Sequence, residues 1–100
     1  MKTNNKKIVR VEQSPHDSAP IHWIEFPEYR LELAIDPTDR ITKSCGMDWL
    51  AVSVFDGTHG GSGEFLFLDE ILADDWDANG AESVNEIAYF TALNRQLRED

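Results

Sequence analysis

The chain has 100 residues and a formal net charge of -10, with 19 acidic against 9 basic side chains. That length allows one domain with a modest core and excludes a two-domain enzyme, while 41% hydrophobic residues exclude a disordered acidic tail. The acid excess disfavours direct binding to nucleic acid or to an anionic membrane, because both need cations facing phosphates. The first 43 residues are charge-neutral, with seven basic and seven acidic residues, and the last six cancel as well. Residues 44–94 contain no Lys or Arg but hold ten carboxylates, so this stretch carries the whole imbalance. Such a segment attracts a cationic partner, either a protein or a metal.

In chain order, residues 1–6 read as a flexible basic start. The apolar residues that follow are too few for a signal-peptide core, and no run approaches a membrane span. With one unpaired Cys45, this gives the expectation of a cytoplasmic protein in a bacterial or phage-infected cell. Residues 7–13 are rich in β-branched residues and predict a first strand. A loop at 14–20 leads to a second strand at Ile21–Phe26, which breaks at Pro27. Tyr29, Leu31, Leu33 and Ile35 alternate with Arg30, Glu32 and Ala34, the clearest period-two strand in the chain. Asp36-Pro37-Thr38-Asp39 then predicts a turn.

Trp49–Phe55 and Glu64–Leu68 predict a hairpin whose glycine-rich tip at 57–63 is mobile. Ile71, Leu72 and Trp76 fit a short helix or turn. Val84, Ile87, Phe90, Leu93 and Leu97 form an apolar stripe at spacings of three and four, with Ser83 and Glu86 at capping-box spacing. The expected fold is therefore α+β: a four- to five-stranded antiparallel sheet in a single domain, with one C-terminal amphipathic helix on one face.

Two constellations carry chemistry. Asp75-Trp76-Asp77-Ala78-Asn79-Gly80, followed after five residues by Glu86, fits the loop pattern D-x-[DN]-x-[DN]-G-x5-E. Over these 12 residues the chain resembles the calcium loop of EF-hand proteins. That resemblance implies Ca²⁺ held by Asp75, Asp77, Asn79, the Ala81 carbonyl, Ser83 and Glu86. It departs from the family at Glu82, where an aliphatic residue is usual, at Asp74, where an aromatic is usual, and in lacking a second loop.

The second is the acidic surface itself. Asp69, Glu70, Asp74, Asp75 and Asp77 crowd together, and Glu82 and Glu86 follow four apart. A row of carboxylates at helical spacing, about 5–6 Å, can imitate a nucleic-acid backbone and occupy a basic groove. Trp76 is expected there as an exposed apolar anchor. In charge, size and lack of catalytic motifs, the chain resembles the small acidic inhibitors of phages and plasmids. These are anti-restriction and anti-CRISPR nucleic-acid mimics and nuclease-immunity proteins. The resemblance implies protein–protein binding to a basic, nucleic-acid-binding partner or nuclease, with no direct contact to nucleic acid or membrane, no cofactor and no catalysis. Two alternatives stand beside it: the calcium module, and a structural or assembly subunit whose acidic face serves solubility.

Other patterns fail. The glycines at 57–63 lack Gly-Lys-Ser/Thr, and Glu64 would repel a phosphate. Cys45 with His16, His22 or His59 matches neither a nucleophile signature nor zinc spacing.

Overall fold

The computed structural model describes residues 7–13, 19–57 and 63–99. Strands β1 (Ile8–Gln13), β2 (Pro20–Phe26), β3 (Leu31–Thr42), β4 (Asp48–Asp56) and β5 (Glu64–Leu72) form one antiparallel sheet in chain order, each pairing with its sequence neighbour. Helix α1 (Ala73–Asn79), a 3-10 turn (Gly80–Val84) and helix α2 (Asn85–Glu99) follow. The fold is α+β, with five strands and a helical C-terminal segment.

Register explains the core. Ile24 pairs with Leu33, Leu33 with Val54, Ile35 with Val52, and Leu50 with Ile71. Because side chains alternate across a strand, these residues share one face with Phe26 and Leu31. Ala73, Val84 and Ala88 from the helical segment complete the buried cluster. Burying each large aliphatic side chain here is worth about 1.5–3 kcal/mol.

The opposite face is built from the intervening positions: Arg10, Trp23, Glu25, Glu32, Ala34, Ser53, Phe55 and Phe65. Glu25 and Glu32 sit directly opposite each other, a repulsive arrangement in isolation. Arg10 resolves it, donating through Nε to Glu25 at 3.1 Å and through Nη2 to Glu32 at 2.8 Å, with a further ion pair to Glu12. Burial works against the charge on Arg10, but its hydrogen bonds to Glu25, Glu32 and Glu12 outweigh that and raise its already high pKa.

Four local expectations are corrected. Asp36-Pro37-Thr38-Asp39 does not end the strand. It forms an irregularity inside β3, where the register with β4 jumps between Ile35 and Arg40. Asp36 Oδ1 accepts from the Thr38 amide at 2.9 Å and from its hydroxyl at 2.7 Å, so the turn chemistry is satisfied as a bulge. β5 runs on to Leu72, beyond the Leu68 expected. The C-terminal stripe is buried only in part. Val84 is buried and Ile87 packs on the core, but Phe90 and Leu97 are exposed, and the small Ala88 and Ala92 take the core-facing places. Ser83 makes no capping box and instead donates its hydroxyl to the Gly80 carbonyl at 2.6 Å. Of the expected mobile segments, 1–6 and 58–62 lie outside the described residues. Gly63 is needed where β5 begins, because a Cβ there would fall 1.6 Å from the Asp56 carbonyl oxygen.

No helix among the described residues is long and apolar enough to cross a membrane.

Candidate functional site

The carboxylates singled out in the sequence do not form one row. Asp69 and Glu70, adjacent on β5, point to opposite faces of the sheet. Glu70 accepts from Lys43 Nζ at 2.5 Å, and Asp69 accepts from the Glu70 amide at 2.7 Å. Asp77 on α1 forms a two-pronged pair with Arg40, at 2.8 Å to Nη2 and 3.2 Å to Nη1. The hydrogen bonding of Arg40 to the Asp77 carboxylate, and then that carboxylate's charge, raise the Arg40 pKa. Glu82 pairs with Lys7 and accepts from Asn85 Nδ2 at 2.8 Å. Its pKa is lowered by the hydrogen bond from Lys7 first and that from Asn85 second.

These cations, Lys7, Arg40 and Lys43, all come from the charge-neutral first part of the chain. Folding therefore undoes some of the segregation seen in the sequence. What stays exposed and without an ion-pair partner among the described residues is Asp74 and Asp75, in the first turn of α1, and Glu86, in the first turn of α2. Acids at a helix N-terminus are favoured by the partial positive charge of its amides, which is why these turns tolerate them. Trp76 is not the exposed anchor expected. It is half-buried on the core, and its ring meets His22 edge-on at 5.3 Å.

The residues of the expected calcium loop lie on helical segments. Asp75, Asp77 and Asn79 lie on helix α1 and Ala81 and Ser83 in the 3-10 turn, so the inward-curving loop that would gather their oxygens is not formed. Asp77 is committed to Arg40 and the Ser83 hydroxyl to Gly80. Among the described residues no group of three or more His, Cys, Asp or Glu side chains could hold a metal ion.

A feature absent from the sequence reading lies beside α2. A groove of about 530 Å³ opens between this helix and the β2–β3 connection. It is lined by Phe26, Pro27, Tyr29, Tyr89 and Phe90 together with Asn85, Lys7, Glu28, Glu82 and Glu86. The connection is a tight turn in which the Tyr29 amide donates to Phe26 O at 3.0 Å and the Arg30 amide to Pro27 O at 3.2 Å. Arg30 adopts a φ of 55°, and its carbonyl is held by the Gly57 amide at 2.8 Å. Arg95 of α2 donates to the Tyr29 carbonyl at 3.2 Å and pairs with Asp56, which ties this turn to the helix.

Tyr89 and Phe90 are about half exposed, at 50% and 53%. Their rings stand edge-on to each other at 5.2 Å. The groove holds three carboxylates against one lysine, and that lysine is already engaged by Glu82 and Asn85. Aromatic faces beside Glu86, which has no ion-pair partner among the described residues, suit a guanidinium or ammonium group carried on an apolar stem. The sequence signal was available: adjacent aromatics on a helix point about 100° apart, so Tyr89 and Phe90 could not both enter one narrow stripe.

Comparison with known protein families, with curated proteins and with solved structures returns no match.

Proposed function

We propose that this is a small non-catalytic binding protein that inhibits a partner by occupying its basic, nucleic-acid-binding site. It would act in the manner of phage and plasmid anti-restriction or anti-CRISPR proteins and of nuclease-immunity proteins, in the cytoplasm of a bacterial or infected cell. The observation that carries this reading is the aromatic groove with three carboxylates against one engaged lysine. Nearby cations of the fold are spent internally: Lys7, Arg40 and Lys43 all pair with carboxylates of the acidic stretch. The exposed acids Asp74, Asp75 and Glu86 therefore keep their field toward solvent, where it steers a cationic partner.

Capture of bacterial nucleic-acid-binding proteins on the immobilised chain, with elution by salt and by duplex DNA, tests the reading. Captured protein should be released both by raised ionic strength and by competing DNA. It should not be retained by the triple variant Asp74→Lys, Asp75→Lys, Glu86→Lys. Capture indifferent to salt, to DNA and to the charge reversal would refute a charge-directed inhibitor.

A further inference from the structure

We infer that the outer edge of β5 takes up an extended, apolar and basic segment of another protein as a sixth strand. β5 ends the strand order and pairs only with β4, so its second row of amides and carbonyls has no strand partner among the described residues, although the Glu70 amide is held by Asp69 Oδ1 at 2.7 Å. Four consecutive large apolar residues on this edge are exposed: Phe65 at 51%, Leu66 and Phe67 at 38%, and Leu68 at 63%. Phe65 and Leu68 lie on the face away from the helices and Phe67 on the helix side, so apolar surface flanks the edge above and below. Strand edges are usually guarded by lysine or proline, and β5 has neither. The opposite edge, β1, carries Arg10 and Glu12.

A bulge sits at Leu66, where the register steps from Val54–Phe67 to Phe55–Phe65. Beyond it, Phe67–Leu72 runs in regular register, a stretch of about 20 Å that an added strand can follow. The charges define the occupant. Glu64, Asp69 and Glu70 are the only ionised side chains of β5, and the chain as a whole carries -10. A second copy would bring these carboxylates against their own kind, whereas a cationic segment complements them. Strand addition takes affinity from the main chain and specificity from alternate side chains. The fitting segment thus places apolar residues against Phe67 and Leu68 and Lys or Arg against Asp69, Glu70 being already paired with Lys43. This inference rests on β5 alone and does not depend on the groove beside α2.

The test uses the full ¹⁵N-labelled chain and three synthetic nine-residue peptides. One alternates valine with lysine, one has the same sequence with alternate amides N-methylated, and one alternates valine with glutamate. The valine–lysine peptide should shift and protect amides within Glu64–Leu72. N-methylation should weaken it about tenfold or more, since it removes main-chain donors while keeping the side chains, and the glutamate peptide should not bind. Leu68→Lys and Phe65→Lys, at exposed positions that leave the fold intact, should each weaken the valine–lysine peptide to a similar degree. Unperturbed β5 amides, or an N-methylated peptide that binds as well as its parent, would overturn the inference. So would concentration-dependent dimers abolished by Leu68→Lys, because the occupant would then be a second copy.

Discussion

The two faces of the sheet are made by the same strands, yet they are stabilised in different ways. The helix side is aliphatic: Ile24, Leu33, Leu50, Val52, Val54 and Val84 are fully buried and bring no polar group with them. Among the described residues no helix covers the other side, and it excludes water with long side chains instead. Trp23 packs on Phe55 at 5.6 Å, Phe55 on Phe65 at 5.6 Å, and the Arg10 guanidinium stands 6.0 Å above Trp23. Beneath them Glu32 is 0% exposed, a carboxylate buried on the uncovered side. A single cation set between two opposed glutamates thus does for one face what a helix does for the other. The first arrangement depends on packed volume and the second on charge balance, so the two should fail in different ways.

Truncating the helix side should have the largest effect. Leu33→Ala leaves a cavity at the centre of β3, and chemical denaturation should show a loss of about 2–5 kcal/mol. On the uncovered side Arg10→Ala removes the cation shared by the opposed Glu32 and Glu25 and should cost about 1–3 kcal/mol without opening a core cavity. Adding Glu32→Gln to Arg10→Ala should return part of that loss. If the double variant is no better than the single, charge balance is not what holds this face. Phe65→Ser, at a half-exposed ring, should cost only about 0.5–1.5 kcal/mol, read as a modest drop in melting temperature.

The smallest effect concerns pH. The Glu82 pKa is lowered in the fold from its ordinary 4.5, so its pairing with Lys7 contributes above that value and is lost as pH falls through the depressed one. Titration followed by NMR should show Lys7 and Asn85 signals moving only in this acid range. A Glu82→Gln variant should abolish the movement without changing the pH-7 fold.

Legibility in the sequence followed period. The Leu31–Ile35 part of the expected alternation and the dense β4 were readable because strand burial writes its pattern into residue type. Tyr29 and Arg30, by contrast, belong to the preceding turn, and Glu32, on the face expected to be wet, is buried. Two stretches misled. Asp36-Pro37 carries turn chemistry that the fold uses as a bulge, and the strand expected to end at Leu68 runs on through Asp69-Glu70 as an edge strand. The helix face was misjudged because large residues marked the stripe, whereas alanines, through which a helix can approach a sheet closely, occupy the inner side of α2. Of the candidate site, Asp74, Asp75 and Glu86 are exposed and have no ion-pair partner among the described residues. Glu70, Asp77 and Glu82 are claimed by cations 27 to 75 residues away, pairings that composition cannot foretell. The groove was legible only in part: the adjacent Tyr89 and Phe90 were a signal, but that Tyr29 lines the same groove follows only from tertiary structure.

Chain order and strand order coincide throughout the sheet, and this bears on how the molecule assembles. Every pairing joins neighbours, the β2–β3 connection spanning only residues 27–30. Loop-closure entropy grows slowly with loop length and is smallest for such short links. The central hairpin can close first, and each further strand then adds to a ready template at a similar small cost. No threading step or distant strand exchange is required. The slow event left to the end is the docking of the helical segment, which must bring Arg95 back to a turn 66 residues earlier.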